Sequence, residues 1–576
     1  MWLITNKKID SKNINCDMIS EGQFTFLYSG SEVKVFVDEK SNKTAFVFGR
    51  PLFRTSGSST EHSLQGMLNY FDKAGITSLA RSLKGNFVLG IISKKYVYIV
   101  SDRFGIYKFF YFHKEGEFFA SDSLRSLTQL LTPTISKQGI IKYVLGYHFI
   151  SGSTVFNNIL HNAPAEIITV EGDIMRKSKY WDARELLVQE KRGTGITEVV
   201  SVLEKSLISE LDENNVANIS LSLTGGGDTR NLLALMLKNK FKLSLFTYGN
   251  PNSVDCLRAS EISDGLKLDH EILDIQMTKG LFEETARKIV REGNSLSSIH
   301  RAHRLLSIIK QSAKSDTLLL GTLGGEFVKG VDEDDYITPK FIYKHYGCEL
   351  NEEIVASSLS EKGILTNRVD IEKLTEFFKG TNYFSGSAIE RKISVLSEIT
   401  AHLHDAQDIT LFKRYIKNVV TPFLDIDYLE ALFSSKFSFD IKERITPNWK
   451  RKIQFPEFSV KLINEVYPEL LRFHYSGGHK PSEILYNKYY GAVRRLIRQV
   501  RRPSYPQNFP LSYWMKAFVL EELPKCNDHQ ILREVFDLDE LQKLLHNPNQ
   551  LGTTERFWLK YTNPIMMRYI IEEFGV

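Results

Sequence analysis

Short β-rich runs separated by turn residues dominate the chain from residue 1 to about 182. YVYIVSDRFG (96–105) and KFFYFH (108–113) are two of them. VFVDEKSNKTAFVFG (35–49) predicts a hairpin that turns at Ser41-Asn42. Such runs predict a layered, β-rich unit. From about 190 the pattern changes. Helix-length stretches now alternate with short apolar strands, which predicts βαβ units and a parallel sheet. After about 375 the chain reads as mostly helical and aromatic, and RRPSYPQNFP (501–510) reads as a proline-punctuated connector between helices.

The informative stretch is NISLSLTGGGDTRNLLALML (218–237). Ile219, Leu221 and Leu223 alternate with Ser220 and Ser222, a strand period. Thr224-Gly225-Gly226-Gly227-Asp228-Thr229 follows, and then Leu232, Leu233, Leu235 and Met236 share one helical face. A glycine-rich turn therefore joins a strand to a helix. Consecutive glycines let backbone N–H groups converge without Cβ interference, and the helix amino terminus adds positive potential at the same point. Together they form a phosphate or pyrophosphate cradle. Asp228 is placed to hold a Mg²⁺ on that phosphate chain, because hard cations take carboxylate oxygens. A Walker loop would need Gly-Lys-Ser/Thr where Asp228-Thr229 stands, and a dinucleotide fingerprint would need glycine where Arg230 stands. For the loop taken alone, a plain glycine turn is the competing reading. KLSLFTYG (242–249), SVDCLRASEISDGLKL (253–268) and HEILDI (270–275) then read as strand, helix and strand. TLLL (317–320) is a further strand, followed by GTLGGEFVKG (321–330). Ligands of open α/β sheets bind outside the carboxyl ends of strands. Both glycine loops lie at such ends, able to face one another across a nucleotide.

Composition narrows the class without deciding it. The 576 residues are 42% hydrophobic and 25% charged, which excludes wholesale disorder, collagen and coiled coil. The net charge of +5 (74 basic against 69 acidic residues) gives no argument for nucleic acid or a membrane surface. Cys16, Cys256, Cys348 and Cys526 make no CxxC pair, so neither a zinc knuckle nor a disulfide framework is indicated, and a reducing compartment fits. MWLITNKKID lacks a leader pattern, and no apolar run approaches the ~18 residues that span a bilayer. The expectation is a soluble, cytoplasmic protein with neither nucleic-acid nor membrane partners.

Several segments, taken in order, resemble the asparagine synthetase family. That family carries SGGxDS where this chain has Thr224–Thr229, and GEGxDE where it has Gly321-Thr322-Leu323-Gly324-Gly325-Glu326. It carries PFLD, present in TPFLDIDYLEALF (421–433), and YWD, present at Tyr180-Trp181-Asp182. TVFNNI (154–159), SDRFGIYKFFYF (101–112) and FFASDSLRSL (118–127) resemble further family segments, so the likeness covers about 80 to 440.

The resemblance implies an α/β protein of two parts. Residues 1–185 would form an amino-terminal-nucleophile-type αββα sandwich of the glutaminase kind. Residues 190–576 would form an ATP-pyrophosphatase parallel sheet with a mostly helical extension. It implies ATP and Mg²⁺. A small-molecule or peptide carboxylate would be adenylated and then converted to an amide by ammonia or another amine. By the resemblance, Ser222, Thr224, Gly225, Gly226, Asp228, Thr229, Tyr248, Leu320 and Gly321 would contact ATP or its pyrophosphate, Ser222 and Tyr248 mainly through backbone. The likeness extends to divergent relatives that close lactams and macrolactam peptides or amidate surface polysaccharides. It leaves a homodimer open. A scaffold that keeps the fold without the chemistry is the rival from another class.

The departures from the family pattern are informative. Its glutaminase uses an amino-terminal cysteine, whereas the second residue here is Trp2. Cys16 would need a cleavage and lacks the family's Cys-Gly-Ile context, so glutamine hydrolysis is expected to be absent. Thr322 occupies the position of the catalytic glutamate and is a poor base. The second magnesium aspartate falls on Gly325, with Glu326 adjacent to supply a carboxylate. Lys480 in SGGHKPSE (476–483) stands about where a phosphate-contacting lysine belongs, with Lys450 and Lys452 as rivals. Arg230 reads equally as a partner for phosphate or a substrate carboxylate and as a salt-bridged arginine at a helix start. His402-Leu403-His404-Asp405 has metal-like letters, but neighbours on a helix do not face one another. RRLIRQVRR (494–502) reads as a solvated basic helix face.

Overall fold

A computed structural model describes residues 1–7, 16–54, 63–189, 193–213, 218–330, 340–440, 455–486, 506, 511–545 and 555–575. The protein is a mixed α/β molecule. Its first half holds two six-stranded antiparallel sheets. One runs in the order Ile159–His161, Phe110–Lys114, Glu117–Ser121, Trp2–Thr5, Phe24–Tyr28, Asp17–Glu21. The other runs Ile174–Lys179, Glu166–Glu171, Tyr96–Ser101, Phe87–Ser93, Lys43–Gly49, Val33–Asp38. The expected hairpin is there, with Asp38 opposite Lys43 and Asn42 at φ 51° in the turn, a conformation asparagine tolerates.

The sheets face each other through aromatic rings. Trp2 and Phe26 of the first meet Phe46 of the second, at centroid distances of 5.2 and 4.6 Å. Gly90 leaves the slot for that ring, since a Cβ there would lie 1.8 Å from Phe46. Helix Leu64–Ser82 packs on the second sheet and helix Leu124–Leu131 on the first, giving the order helix, sheet, sheet, helix. The strand-dominated reading of 1–182 missed these helices. The run at 108–113 begins its strand only at Phe110.

The second half centres on five parallel strands in the order His270–Leu273, Leu243–Tyr248, Ile219–Ser222, Thr317–Leu319, Asn418–Val420. From Ile219–Ser222 the order runs outward both ways, so the gap between the carboxyl ends of Ile219–Ser222 and Thr317–Leu319 is a topological switch point. The Asn418–Val420 strand was not expected. It is too short to show a period, and only its pairing with Thr317–Leu319 makes it a strand. Helix Gly227–Lys238 is buried from Arg230 through Met236, not on one face alone, because helix Phe455–Val466 packs on it as well. The 501–510 connector falls almost wholly outside the described residues.

Charge joins the halves. Arg54 pairs with Asp427 at 2.8 Å and with Glu430, and Lys84 reaches Asp425 at 3.2 Å and Asp427 at 2.8 Å. Asp425, the aspartate of PFLD, also caps helix Ile426–Phe433 by accepting from the N–H groups of Asp427 and Tyr428. Burial pulls the Lys84 ammonium down, but the two aspartates more than offset it, so its pKa lies above the ordinary lysine value. Among the described residues, no helix is long and apolar enough to cross a membrane.

Candidate functional site

A cavity of about 210 Å³ opens at the switch point. Ser222, Thr224, Gly226, Asp228, Thr229, Tyr248, Leu320, Gly321 and Thr322 line it, so every expected nucleotide contact except Gly225 meets there. The two glycine loops touch. A Cβ on Gly321 would lie 3.2 Å from the Thr229 nitrogen, and one on Gly324 would lie 3.0 Å from the Asp228 Cβ and 2.7 Å from the Phe423 ring. Within the first loop, the Thr224 N–H donates to Thr229 Oγ1 at 3.3 Å and the Gly226 N–H to Thr224 Oγ1 at 3.2 Å. Gly226 caps helix Gly227–Lys238 with no side-chain hydrogen bond. The cap residue therefore has no side chain to compete for the first-turn N–H groups, the usual donors to a bound anion.

Asp228 is the strained member electrostatically. Its Oδ1 is buried and, among the described residues, has no hydrogen-bond partner. Burial first, and Glu326 second, push its carboxyl well above the usual range, against a smaller pull from Lys329. A divalent cation fits this pair, because it would supply the missing partner and cancel the repulsion. Glu326 opens the short helix Glu326–Lys329, lies 3.9 Å from Lys329 Nζ and does not itself line the cavity. Among the described residues, no group of three or more His, Cys, Asp or Glu is arranged to hold a metal.

Sequence reasoning missed the opposite wall. Arg304 and Ser307 of helix Ala302–Ser312 line the cavity with Phe246 and Phe412. Arg304 pairs with Asp408 and bonds Tyr248, while Arg301 Nη1 lies 2.6 Å from Asp408 Oδ2. Burial pushes the Asp408 carboxyl up, but these two guanidiniums outweigh it and hold it below the usual range. No motif marks this helix, and only tertiary packing brings it to the loops.

The loop around Lys480 does lie on the glycine loop. The Ser476 N–H donates to the Gly225 carbonyl at 2.9 Å, and a Cβ on Gly225 would fall 2.2 Å from Ser476 Oγ. Lys480 is not a lining residue of the cavity, and its N–H donates to Glu483 Oε2 at 3.3 Å. Lys450 and Lys452 lie outside the described residues. Both readings of Arg230 are corrected. It is wholly buried and donates to the carbonyls of Phe473 at 2.9 Å and His474 at 2.7 Å. Its position inside the fold, between the helix and this loop, keeps it from ligand and carboxylate alike.

In the first half, Trp2 is completely buried and its N–H donates to Asp122 Oδ1 at 2.7 Å, while Cys16 is partly exposed. His402 and His404 sit on a π-helix, Val395–Asp405, and serve different partners. His402 Nδ1 lies 2.5 Å from Lys108 Nζ, and His404 Nε2 lies 2.6 Å from Arg301 Nη2. Neither arrangement is a metal site. The 494–502 run lies outside the described residues.

A family model described as a glutamine amidotransferase domain matches residues 51–181. A search of the curated proteins gives no match. Among solved structures, the allosteric regulatory enzyme of purine biosynthesis is similar at 9% identity and a TM-score of 0.20, over 38% of this chain and 54% of its own. Glutamine phosphoribosylpyrophosphate amidotransferase from B. subtilis, complexed with ADP and GMP, gives 10% and 0.18 over 46% and 56%. NMN synthetase from Francisella tularensis gives 13% and 0.22 over 37% and 96%. The chain thus spans little more than half of the first two. Likenesses this slight say nothing about function.

Proposed function

We propose that the chain is an ATP-dependent, carboxylate-activating amide ligase of the asparagine synthetase type, with a non-hydrolytic first part (1–185) and a nucleotide-binding second part (190–576). The substrate carboxylate attacks the α-phosphorus of ATP and pyrophosphate leaves. Ammonia or another amine then displaces AMP to give the amide. One observation carries the reading: a buried carboxylate oxygen of Asp228, unpartnered among the described residues, at the meeting of two glycine loops. Leaving such a group unsatisfied costs about 1–3 kcal/mol. A scaffold that had lost its chemistry would have no use for it.

The glycine-loop N–H groups and the helix amino terminus bind the outer phosphates. Asp228 and Glu326 would hold Mg²⁺, which neutralises charge on the departing pyrophosphate when bound. Phe246 and Phe412 give the base an apolar seat, and the backbone at Tyr248 and Leu320 borders it. Thr322 has no basic group to take a proton from the amine, so the amine enters neutral, and the proton it sheds on forming the amide passes to the departing AMP phosphate or to water. The match over 51–181 supports amide chemistry for the family, and the buried Trp2 supports ammonia or a free amine over glutamine as donor. Exchange of labelled pyrophosphate into ATP, run with a panel of carboxylates, tests the proposal. We expect one carboxylate to support exchange and Asp228→Asn to abolish it. Silence with every acid, or full speed in that variant, would sink it.

A further inference from the structure

We propose that Tyr428 is a positioning residue for Asp228: its buried hydroxyl donates to the Asp228 carboxylate when that carboxylate holds a divalent cation on the nucleotide. This rests on the nucleotide reading above and adds what steadies the carboxylate from inside the fold.

Tyr428 stands in the first turn of helix Ile426–Phe433 and is 1% exposed. Asp425 fixes its backbone by accepting from its N–H at 3.2 Å, and Lys84 in turn holds Asp425. The Tyr428 and Phe423 rings meet edge to face, with centroids 5.8 Å apart. Phe423 is also the ring that a Cβ on Gly324 would meet at 2.7 Å, and the same Cβ would lie 3.0 Å from the Asp228 Cβ. Tyr428, Phe423, Gly324 and Asp228 therefore form one packed row. Two polar atoms in this row are buried and, among the described residues, have no hydrogen-bond partner: the Tyr428 hydroxyl and Asp228 Oδ1. Burial first, and the charge of Asp228 second, push the phenol above its ordinary pKa, so each group lies within the other's field. A phenylalanine would fill the same space with no unsatisfied oxygen, so the hydroxyl marks a contact still to be made. The carboxyl turns about a soft torsion, and making that contact asks little of the backbone. Tyr428 does not line the cavity, which leaves the carboxylate and not the nucleotide as its partner. An ionised carboxylate has about four lone-pair sites, enough for a cation on the cavity side and a phenol on the inner side. Donation from the phenol favours the charged form and fixes how it faces the ion.

The test is binding of ATP by the full chain, measured by calorimetry with Mg²⁺ and again with EDTA, beside urea denaturation of the chain without nucleotide. Tyr428→Phe should weaken ATP with Mg²⁺ about tenfold, the scale of a hydrogen bond to a charged group. ATP in EDTA should change less than about twofold. The urea midpoint of the variant should equal or exceed that of the parent, because the substitution removes only an unsatisfied hydroxyl. A phenol with a merely structural part would instead lower the midpoint. Asp228→Asn should remove the gain from Mg²⁺, and the double variant should bind no more weakly than Asp228→Asn. For Tyr428→Phe, a lower midpoint, parent-like affinity with Mg²⁺, or equal losses with and without the metal would overturn the inference alone, as would additive losses in the double variant. A parent that binds no ATP, or an Asp228→Asn protein that keeps the gain from Mg²⁺, would overturn the reading of the site and this inference with it.

Discussion

The Lys108 amine and the His402 imidazole meet inside the protein, Nζ to Nδ1 at 2.5 Å, across the seam between the halves. Lys108 also donates to the Gly105 carbonyl at 2.8 Å, and His402 Nδ1 lies 3.0 Å from the carbonyls of Phe104 and Gly105. Burial drives the pKa of both groups well below their ordinary values. A neutral amine can accept from the imidazole N–H, which a charged one cannot.

That pairing predicts a pH dependence. A lysine neutral in the fold and charged when unfolded makes unfolding take up a proton. Stability therefore rises with pH from the depressed folded pKa to the ordinary value of about 10.4, by about 1.4 kcal/mol per pH unit. Lys108→Met removes this contribution. Urea midpoints of the variant should rise less between pH 7 and pH 9 than those of the parent, and parallel profiles would contradict a neutral Lys108.

Gly90→Ala should destabilise the first half severely, because the new methyl would lie 1.8 Å from the Phe46 ring. Overpacking of this kind costs about 3 kcal/mol. Adding Phe46→Leu should restore part of the loss in chemical denaturation. No recovery would mean that the strain lies elsewhere.

Asp408→Asn should cost about 3–5 kcal/mol at neutral pH, since it leaves the buried Arg301 and the half-buried Arg304 beside a neutral group. The Asp408 carboxyl titrates below the usual range, so its contribution is present above pH about 4 and fades as the pH falls through the folded pKa. The gap between variant and parent should therefore narrow in denaturation below about pH 4. A constant gap would show that charge is not what Asp408 supplies.

Thr322→Val should leave the rate of amide formation, measured with ammonia and the carboxylate that supports exchange, within about threefold of the parent, far short of the roughly 10²-fold that a general base contributes. A large fall would give the hydroxyl a part in the chemistry that its acidity does not suggest.

What the amino-acid sequence made legible was decided by range. The glycine loop, its strand and its helix were readable because residues 219–236 carry their own periods and turn chemistry. The hairpin at 35–49 was local in the same way. Arg304 gave no signal, because its place in the cavity comes from the packing of helix Ala302–Ser312 against helices Lys279–Glu292 and Ala406–Phe412. Arg230 invited two ligand- or charge-based readings, and its actual partners are backbone carbonyls some 240 positions away, Phe473 and His474. Trp2 read as the absence of a nucleophile, and its packing against Phe46 became visible only when the two sheets closed.

The contact between the glycine loops has a consequence for how such a site can change. Gly321 and Gly324 lie close against Asp228 and Thr229, so a Cβ at either would crowd Asp228, and at Gly324 the Phe423 ring as well. Thr322 and Gly325, between and beside them, depart from the letters of the family that the sequence resembles. Charge and acidity at this centre can drift residue by residue, whereas its contour is held by steric exclusion, and a new reaction is reached more readily by exchanging side chains than by reshaping the turn.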